Sequence, residues 1–313
     1  MSRVVDHRDR LEPLPDISGV FDAWEGPWQL PVAHLPVDGE RTRALIDWDH
    51  QVHIRSGGDL VPWFGIPFQF ADGQPHQRIW EATRPGSWLP WAWNPFPSRN
   101  VRLPAVVRRY GDPTPAAWGD FQSFQIAVRD GTYTELSAFG PSWFNWPHPW
   151  RADHIAQFRL DRAWDAPGQP FGVGATGIPM VPLLPTYEEL ERGEVRHAMH
   201  LVVPHYSGER ILAPARGTDG MTPGHPLYAG HRLRLRSGWQ PPADATPHAL
   251  ALVQAAKTYG LIVSDKSTFQ GPHARPIPFD HSNAGWVVRC PQDPRIDFGG
   301  ISWNASDLRV VAA

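Results

Sequence analysis

The stretch Phe121-Gln-Ser-Phe-Gln-Ile-Ala-Val128, followed by Arg129-Asp-Gly131 and then Thr132-Tyr-Thr-Glu-Leu136, decides the class of fold. It reads as a short apolar run, a hairpin turn at Asp130-Gly131 and a returning strand. The same grammar extends from Val52 to about Trp239, where runs such as Gly65-Ile-Pro-Phe-Gln-Phe70, Val101-Arg-Leu-Pro-Ala-Val-Val107 and His200-Leu-Val-Val203 are separated by Gly, Pro, Asp and Asn. Arg232-Leu-Arg-Leu-Arg236 alternates strictly, which sends its leucines to one face and its arginines to the other. Prolines inside several runs mark edges or bulges. The expectation is an all-β fold, an antiparallel β-sandwich of jelly-roll type with one long and two short helices.

The helices have local signatures. Asp38 is placed to cap a helix over 38–47, with Leu45 and Ile46 inward. Thr186-Tyr-Glu-Glu189 is a capping box, and Gly193 stops that helix after about two turns. The long helix starts at Thr246-Pro247, runs through Ala249, Leu250, Leu252, Val253 and Ala256, and ends at Gly260. Leu261-Ile-Val263, Gly285-Trp-Val-Val-Arg289 and Leu308-Arg-Val-Val311 read as strands that rejoin the sheets. Residues 1–35 are punctuated by proline and read as an arm. Residues 36–313 show no repeat and no linker, so a single domain is expected there.

Composition narrows the function classes. The 313 residues are 41% hydrophobic and only 19% charged, with 35 Pro and 28 Gly, which fits a folded chain and not a disordered one. No run approaches the length of a membrane-spanning helix. The start, Met1 to Pro13, has charges but no apolar core segment, so no secretory signal is expected. A single cysteine, Cys290, excludes an internal disulfide framework and Cys-based zinc sites. A net charge of −3 gives no reason to expect nucleic acid as a partner. Of the 29 basic residues only Lys257 and Lys266 are lysines.

Tryptophan is the outlier, at 16 residues. Trp80, Trp88, Trp91 and Trp93 form one group and Trp143, Trp146 and Trp150 another, both in Pro-rich stretches. An indole offers a flat apolar face and one N–H donor, which suits the CH face of a sugar ring; the bland alternative is satellite core beneath long loops. The expected ligand-binding residues are Trp88, Trp91, Trp93, Trp146 and Trp150, with Arg84 and Asn94 supplying hydrogen bonds to hydroxyls. Cleavage of a glycan would call for paired carboxylates. Glu135, on the strand after the hairpin turn, and Asp265, after Leu261-Ile-Val263, are the candidates, because Glu189 already has work as a capping partner.

The 15 histidines raise the question of metal. His197 and His200 share a three-residue spacing, but the context reads as strand, where that spacing points the rings to opposite faces. No metal and no cofactor are expected. Gly172-Val-Gly174-Ala-Thr-Gly177 has the spacing of a dinucleotide fingerprint, yet Pro179 and Pro182 exclude the helix that must follow.

The segment Gly174-Ala-Thr-Gly-Ile-Pro-Met-Val-Pro-Leu-Leu-Pro-Thr-Tyr-Glu-Glu-Leu-Glu-Arg-Gly-Glu-Val-Arg-His-Ala198 resembles a family of largely uncharacterised secreted bacterial and fungal proteins. The likeness continues at Pro214-Ala-Arg216, Gly230-His-Arg-Leu-Arg-Leu235 and Ala256-Lys-Thr-Tyr-Gly-Leu-Ile-Val-Ser-Asp265. The resemblance implies a secreted-type β fold and no particular activity. Where relatives carry a histidine, this chain has Gln122-Ser-Phe124 and Pro214-Ala-Arg-Gly217. The leading expectation is a glycan-binding protein located extracellularly or on a particle, with glycan cleavage as its activity if it is an enzyme. The alternatives are a structural or receptor-binding protein of a phage particle or surface layer, and a histidine-site metal enzyme acting on a small molecule.

Overall fold

The computed structural model describes residues 3–6, 13–52, 61–81, 98–109, 123–137, 140–141, 150–152, 154–266, 286–291, 293–299 and 301–312. The fold is mostly β, with few helices. Contacts gather the chain into two compact units, each assembled from three stretches. Met1–Glu25, Gly65–Val173 and Pro291–Pro294 make the first; Gly26–Phe64, Gly174–Cys290 and Arg295–Ala313 make the second. No polar linker marks the crossings, which is why the sequence reads as continuous.

The sheets are mixed, which corrects the expectation of an antiparallel fold. Phe68–Phe70 runs parallel to Ser123–Ala127, Trp150–Ala152 parallel to His76–Glu81, and Met199–Val203 parallel to Leu261–Lys266. Turn residues specify only strands that are neighbours in sequence. Strands that meet after a long connection can return in either direction, and nothing local encodes which.

In the first unit one four-stranded sheet has the order Ser98–Arg102, His76–Glu81, Trp150–Ala152, Gly140–Pro141. The second has the order His154–Arg159, Thr132–Ser137, Ser123–Ala127, Phe68–Phe70. The hairpin read from sequence is present: Ala127 pairs with Thr132, Gly131 N–H donates to the Val128 carbonyl at 2.9 Å, and Gly131 takes φ +61°, a conformation that favours glycine. Trp150–Ala152 and His154–Arg159 are almost continuous in sequence but lie in different sheets. One apolar cluster, including Ile79, Val101, Leu136, Trp150 and Ile155, draws on both sheets.

The opposite face of the second sheet is aromatic. Tyr133 and Phe158 stack with centroids 5.8 Å apart, Trp24 meets Phe158 edge-on at 5.4 Å, and Phe21 meets Tyr133 at 5.4 Å. Leu14, Ile17, Phe21 and Trp24 are all buried, so residues 13–25 cover this face. Trp24 Nε1 donates to the Arg162 carbonyl at 2.7 Å, and Leu14 N–H donates to the Asp293 carboxylate at 2.9 Å.

The second unit contains a six-stranded sheet in the order Leu308–Val310, Arg232–Leu235, Leu261–Lys266, Met199–Val203, Val287–Pro291, Val61–Ile66. The Arg-Leu alternation holds: Leu233 and Leu235 are buried, while Arg232 and Arg234 reach the other way to bind backbone carbonyls. Arg232 donates to the carbonyls of Pro27, Trp28 and Tyr259, and Arg234 to that of Val32. The arginines thus fasten residues 27–33 to the sheet. Burial lowers the Arg232 pKa to about 10.

Three helices complete the unit: α1 (Gly39–Val52), α2 (Tyr187–Glu191) and α3 (Pro247–Thr258). Asp38 caps α1 by accepting from Arg41 N–H at 2.9 Å. That helix continues past the expected Asp47 and, at 14 residues, is longer than α3. The Thr186–Glu189 capping box is closed in both directions, at 3.3 and 2.9 Å. Thr246 caps α3 by accepting from Ala249 N–H at 3.2 Å. Gly260 ends that helix at φ +77°, where a Cβ would lie 2.4 Å from the Leu233 carbonyl oxygen. Leu250, one of its apolar residues, is exposed. No described helix is long and apolar enough to cross a membrane.

Candidate functional site

In the second sheet of the first unit, cross-strand register sorts side chains into rows. Ser123, Leu136 and Ile155 form one row, Gln125, Thr134 and Gln157 the next, and Ala127, Thr132 and Arg159 a third. Alternation puts all three rows on one face, with Tyr133, Glu135 and Phe158 on the other. The Leu136 row joins the apolar cluster, but the rows beyond it are polar. There the face opens into a groove of about 200 Å³. Gln125, Thr132, Thr134, Gln157 and Arg159 line it from this sheet. His76, Asn100 and Arg102 contribute from the other sheet, and Asp130 from the hairpin turn.

Gln125 is the decisive residue. It is 2% exposed, and its amide nitrogen donates to Ser123 Oγ at 3.0 Å. Its amide oxygen is buried and has no hydrogen-bond partner among the described residues. An unpaired buried acceptor costs about 1–3 kcal/mol, so a native chain keeps one where something supplies the missing donor. Nearby, Gln157 Nε2 donates weakly to Thr134 Oγ1 at 3.4 Å. Arg102 grips Asp130 through Nε and through Nη2, the latter at 3.3 Å, and gives Nη1 to the Gln74 carbonyl. That hydrogen bonding holds the Asp130 carboxyl below the usual carboxylate range. His76 Nε2 lies 3.9 Å from Asp130.

A second polar cluster in the same unit surrounds Glu81. Its carboxylate accepts from Ile155 N–H at 3.0 Å and Arg99 Nε at 3.2 Å, and lies 3.2 Å from His154 Nδ1. Burial alone would raise the Glu81 pKa, but His154, the Ile155 amide and Arg99 together outweigh it and bring it to about 2. His154 Nε2 lies 2.8 Å from the Phe171 carbonyl oxygen. Both ring nitrogens therefore face acceptors, which only the imidazolium satisfies at once. The Glu81 hydrogen bond accordingly raises the His154 pKa, against a smaller opposing effect of burial.

Of the residues singled out from sequence, Trp88, Trp91, Trp93, Arg84, Asn94 and Trp146 lie outside the described residues. Trp150 is 5% exposed in the apolar cluster, so its ring packs against core and not against a ligand. Glu135 is fully buried; its oxygens accept from Tyr133 Oη at 2.6 Å and from Val173 N–H at 2.9 Å. It faces away from the groove and pins residues 171–173, the same strap that His154 holds through Phe171. Asp265, in the second unit, is paired with Arg289 at 2.8 Å and accepts from Lys266 N–H at 2.8 Å.

Close to Asp265 in that unit, Tyr206 Oη donates to Asp219, whose backbone carbonyl accepts from Lys266 Nζ at 2.9 Å. Burial, with Asp219 and Asp265 adding to it, pushes the Tyr206 hydroxyl pKa well up. His197 pairs with Glu189 at 3.4 Å, whereas His200 is buried on its strand and its Nδ1 has no partner among the described residues. The two rings are thus held by different surroundings. Among the described residues, no three His, Cys, Asp or Glu side chains gather as a metal set.

The groove residues Gln125, Gln157, Arg102 and Asp130 were not singled out from sequence. The available signal was Ser123 and Gln125 alternating with Phe124 and Ile126, polar residues on a strand whose two faces are both covered. No protein-family profile, curated protein or solved structure matches this chain.

Proposed function

We propose that this chain binds saccharide, and that the groove of the first unit is where it does so. We read the two four-stranded sheets, with their shared apolar cluster, as a sandwich whose interior grades from hydrophobic side chains into amides and hydroxyls. The observation that carries the proposal is the buried amide oxygen of Gln125, a residue that lines the groove, with no partner among the described residues. Around it stand Asn100, Thr132, Thr134 and Gln157, short-reach donors and acceptors of the kind that pair with ring hydroxyls. The volume suits one sugar unit, with the rest of a chain running out to solvent. The reading is one of binding without cleavage: the carboxylate lining the groove is Asp130, which Arg102 holds ionised, and Glu135 points to the opposite face. A saccharide ligand also agrees with an extracellular or particle-associated location.

The test is a calorimetric titration of an oligosaccharide panel into the wild-type chain and Gln125→Met. Methionine keeps the volume and removes the unpaired acceptor. Affinity for the bound saccharide should fall about tenfold or more, while the thermal midpoint stays level or rises. A lowered midpoint with unchanged affinity of the folded protein would overturn the proposal, because Gln125 would then be a core residue and nothing more.

A further inference from the structure

Resting on the saccharide reading above, we infer that the groove selects neutral sugars and turns away uronates and sulfated sugars. The first support is the direction of the Gln125 amide. Ser123 has one hydroxyl hydrogen, and it goes to the Arg108 carbonyl oxygen at 2.6 Å. Ser123 Oγ must therefore accept from Gln125 Nε2, which leaves the amide oxygen as the acceptor still open to a ligand's donor. A sugar hydroxyl donates to that oxygen. A carboxylate or sulfate oxygen can only accept, and is repelled.

The second support is that the cations of the groove are already engaged. Arg102 gives Nε and Nη2 to Asp130 and Nη1 to Gln74, so all three of its nitrogens have acceptors. Arg159 gives Nε to Asp161 at 3.1 Å and Nη2 to the same carboxylate at 2.6 Å. Asp72, which holds the backbone N–H groups of Val128 and Arg129, adds its negative field to Arg102. Each guanidinium lining the groove, Arg102 and Arg159, thus has a carboxylate partner, with His76 as the remaining titratable group of the lining. To bind through Arg102, an acidic sugar would have to displace Asp130 and leave that carboxylate unpaired beside its own charge. The hydroxyls of a neutral ring face no such conflict: they donate to Gln125 Oε1 and Asp130 and accept from Asn100.

The experiment titrates the full chain with neutral gluco-, xylo-, manno- and galacto-oligosaccharides, with oligogalacturonate, and with a heparin-derived sulfated oligosaccharide. A neutral oligosaccharide should bind, with an affinity that changes less than about twofold between about 0.05 and 0.5 M salt. Gln125→Met should weaken it about tenfold. Asn100→Ala, on an exposed part of the wall, should weaken it roughly threefold and gives a reading independent of the buried amide. If an acidic oligosaccharide binds more tightly than every neutral one and both variants weaken it, the selectivity is overturned while the saccharide reading stands. If no member of either set binds, the saccharide reading itself falls and the selectivity falls with it.

Discussion

The first unit holds His154 between two acceptors, the Glu81 carboxylate and the Phe171 carbonyl, and so favours its charged form. The second unit does the reverse with His200 and His231. His200 is buried, and burial together with the Arg289 charge pushes its pKa well down. His231 Nδ1 accepts from Tyr228 N–H at 2.7 Å, and burial, with Arg41 adding to it, lowers its pKa to about 4. The same side chain is thus favoured as a cation at His154 and as a neutral ring at His200 and His231, and what decides is whether a carboxylate is buried with it. The wider contrast follows the same line. In the second unit Arg232 and Arg234 go to backbone carbonyls, while in the first the Gln125 amide oxygen has no partner among the described residues.

The comparison breaks most visibly at Trp24. Trp24→Ala removes the ring that bridges Phe158 and Tyr133 and should cost about 3–5 kcal/mol. Hydrogen exchange should rise in the peptides covering Thr132–Ser137 and His154–Arg159 and stay level in Met199–Val203. An equal rise in both places would show that the units open as one, and the contrast between them would lose its energetic meaning.

A change of pH sharpens the contrast at smaller cost. The stabilisation from His154, whose folded pKa is raised, is complete below about 6.5 and is lost as pH climbs through the folded value. The stabilisation from His231, whose folded pKa is depressed, is complete above about 6.5 and is lost as pH falls towards about 4. Glu81 adds stabilisation that is complete above its ordinary value of 4.5 and fades as pH falls towards about 2. Between pH 8 and pH 5, protection corrected for intrinsic exchange should therefore rise around His154–Arg159 and fall around Tyr228–Leu235. Movement in the same direction at both places would contradict the assignment of charge.

The smallest effect is Thr246→Ala. Loss of the α3 cap should cost about 1 kcal/mol, confined to the second unit and read as a shift in denaturation midpoint with unchanged slope.

What the sequence made legible was local. Asp38, Thr186, Thr246, Gly193 and Gly260 mark helix ends because a cap needs only its own neighbours, and Arg232 to Leu235 alternates because a strand does. The parallel pairings were not legible, since they join residues far apart in the chain. The groove was hidden for the same reason: Gln125, Thr134 and Gln157 become neighbours only through the register of three strands, and Asp130 reaches them from a turn. Glu135 and Thr134 are adjacent in sequence, and one step of the pleat put the singled-out residue on the wrong face for the groove. Tryptophan and carboxylate are conspicuous residue types, whereas a glutamine becomes informative only once its surroundings are known to be closed.

One feature of the chain path bears on how this protein is made. Leu14 closes its hydrogen bond on Asp293, and the first unit is completed by Pro291–Pro294. A ribosome delivers the amino-terminal piece of that unit first and its last piece only after most of the second unit has been synthesised. The first unit cannot be completed before residues 291–294 are made, nor the second before residues 295–313, so folding of one finished unit before the other is begun is closed to it. The aromatic face of the Tyr133 sheet can be covered early, by residues 13–25, but the latch at Asp293 must wait for about 270 further residues to emerge. Truncation near the carboxyl terminus should therefore disturb the structure around the first twenty-five residues, a long-distance effect that comes from connectivity alone.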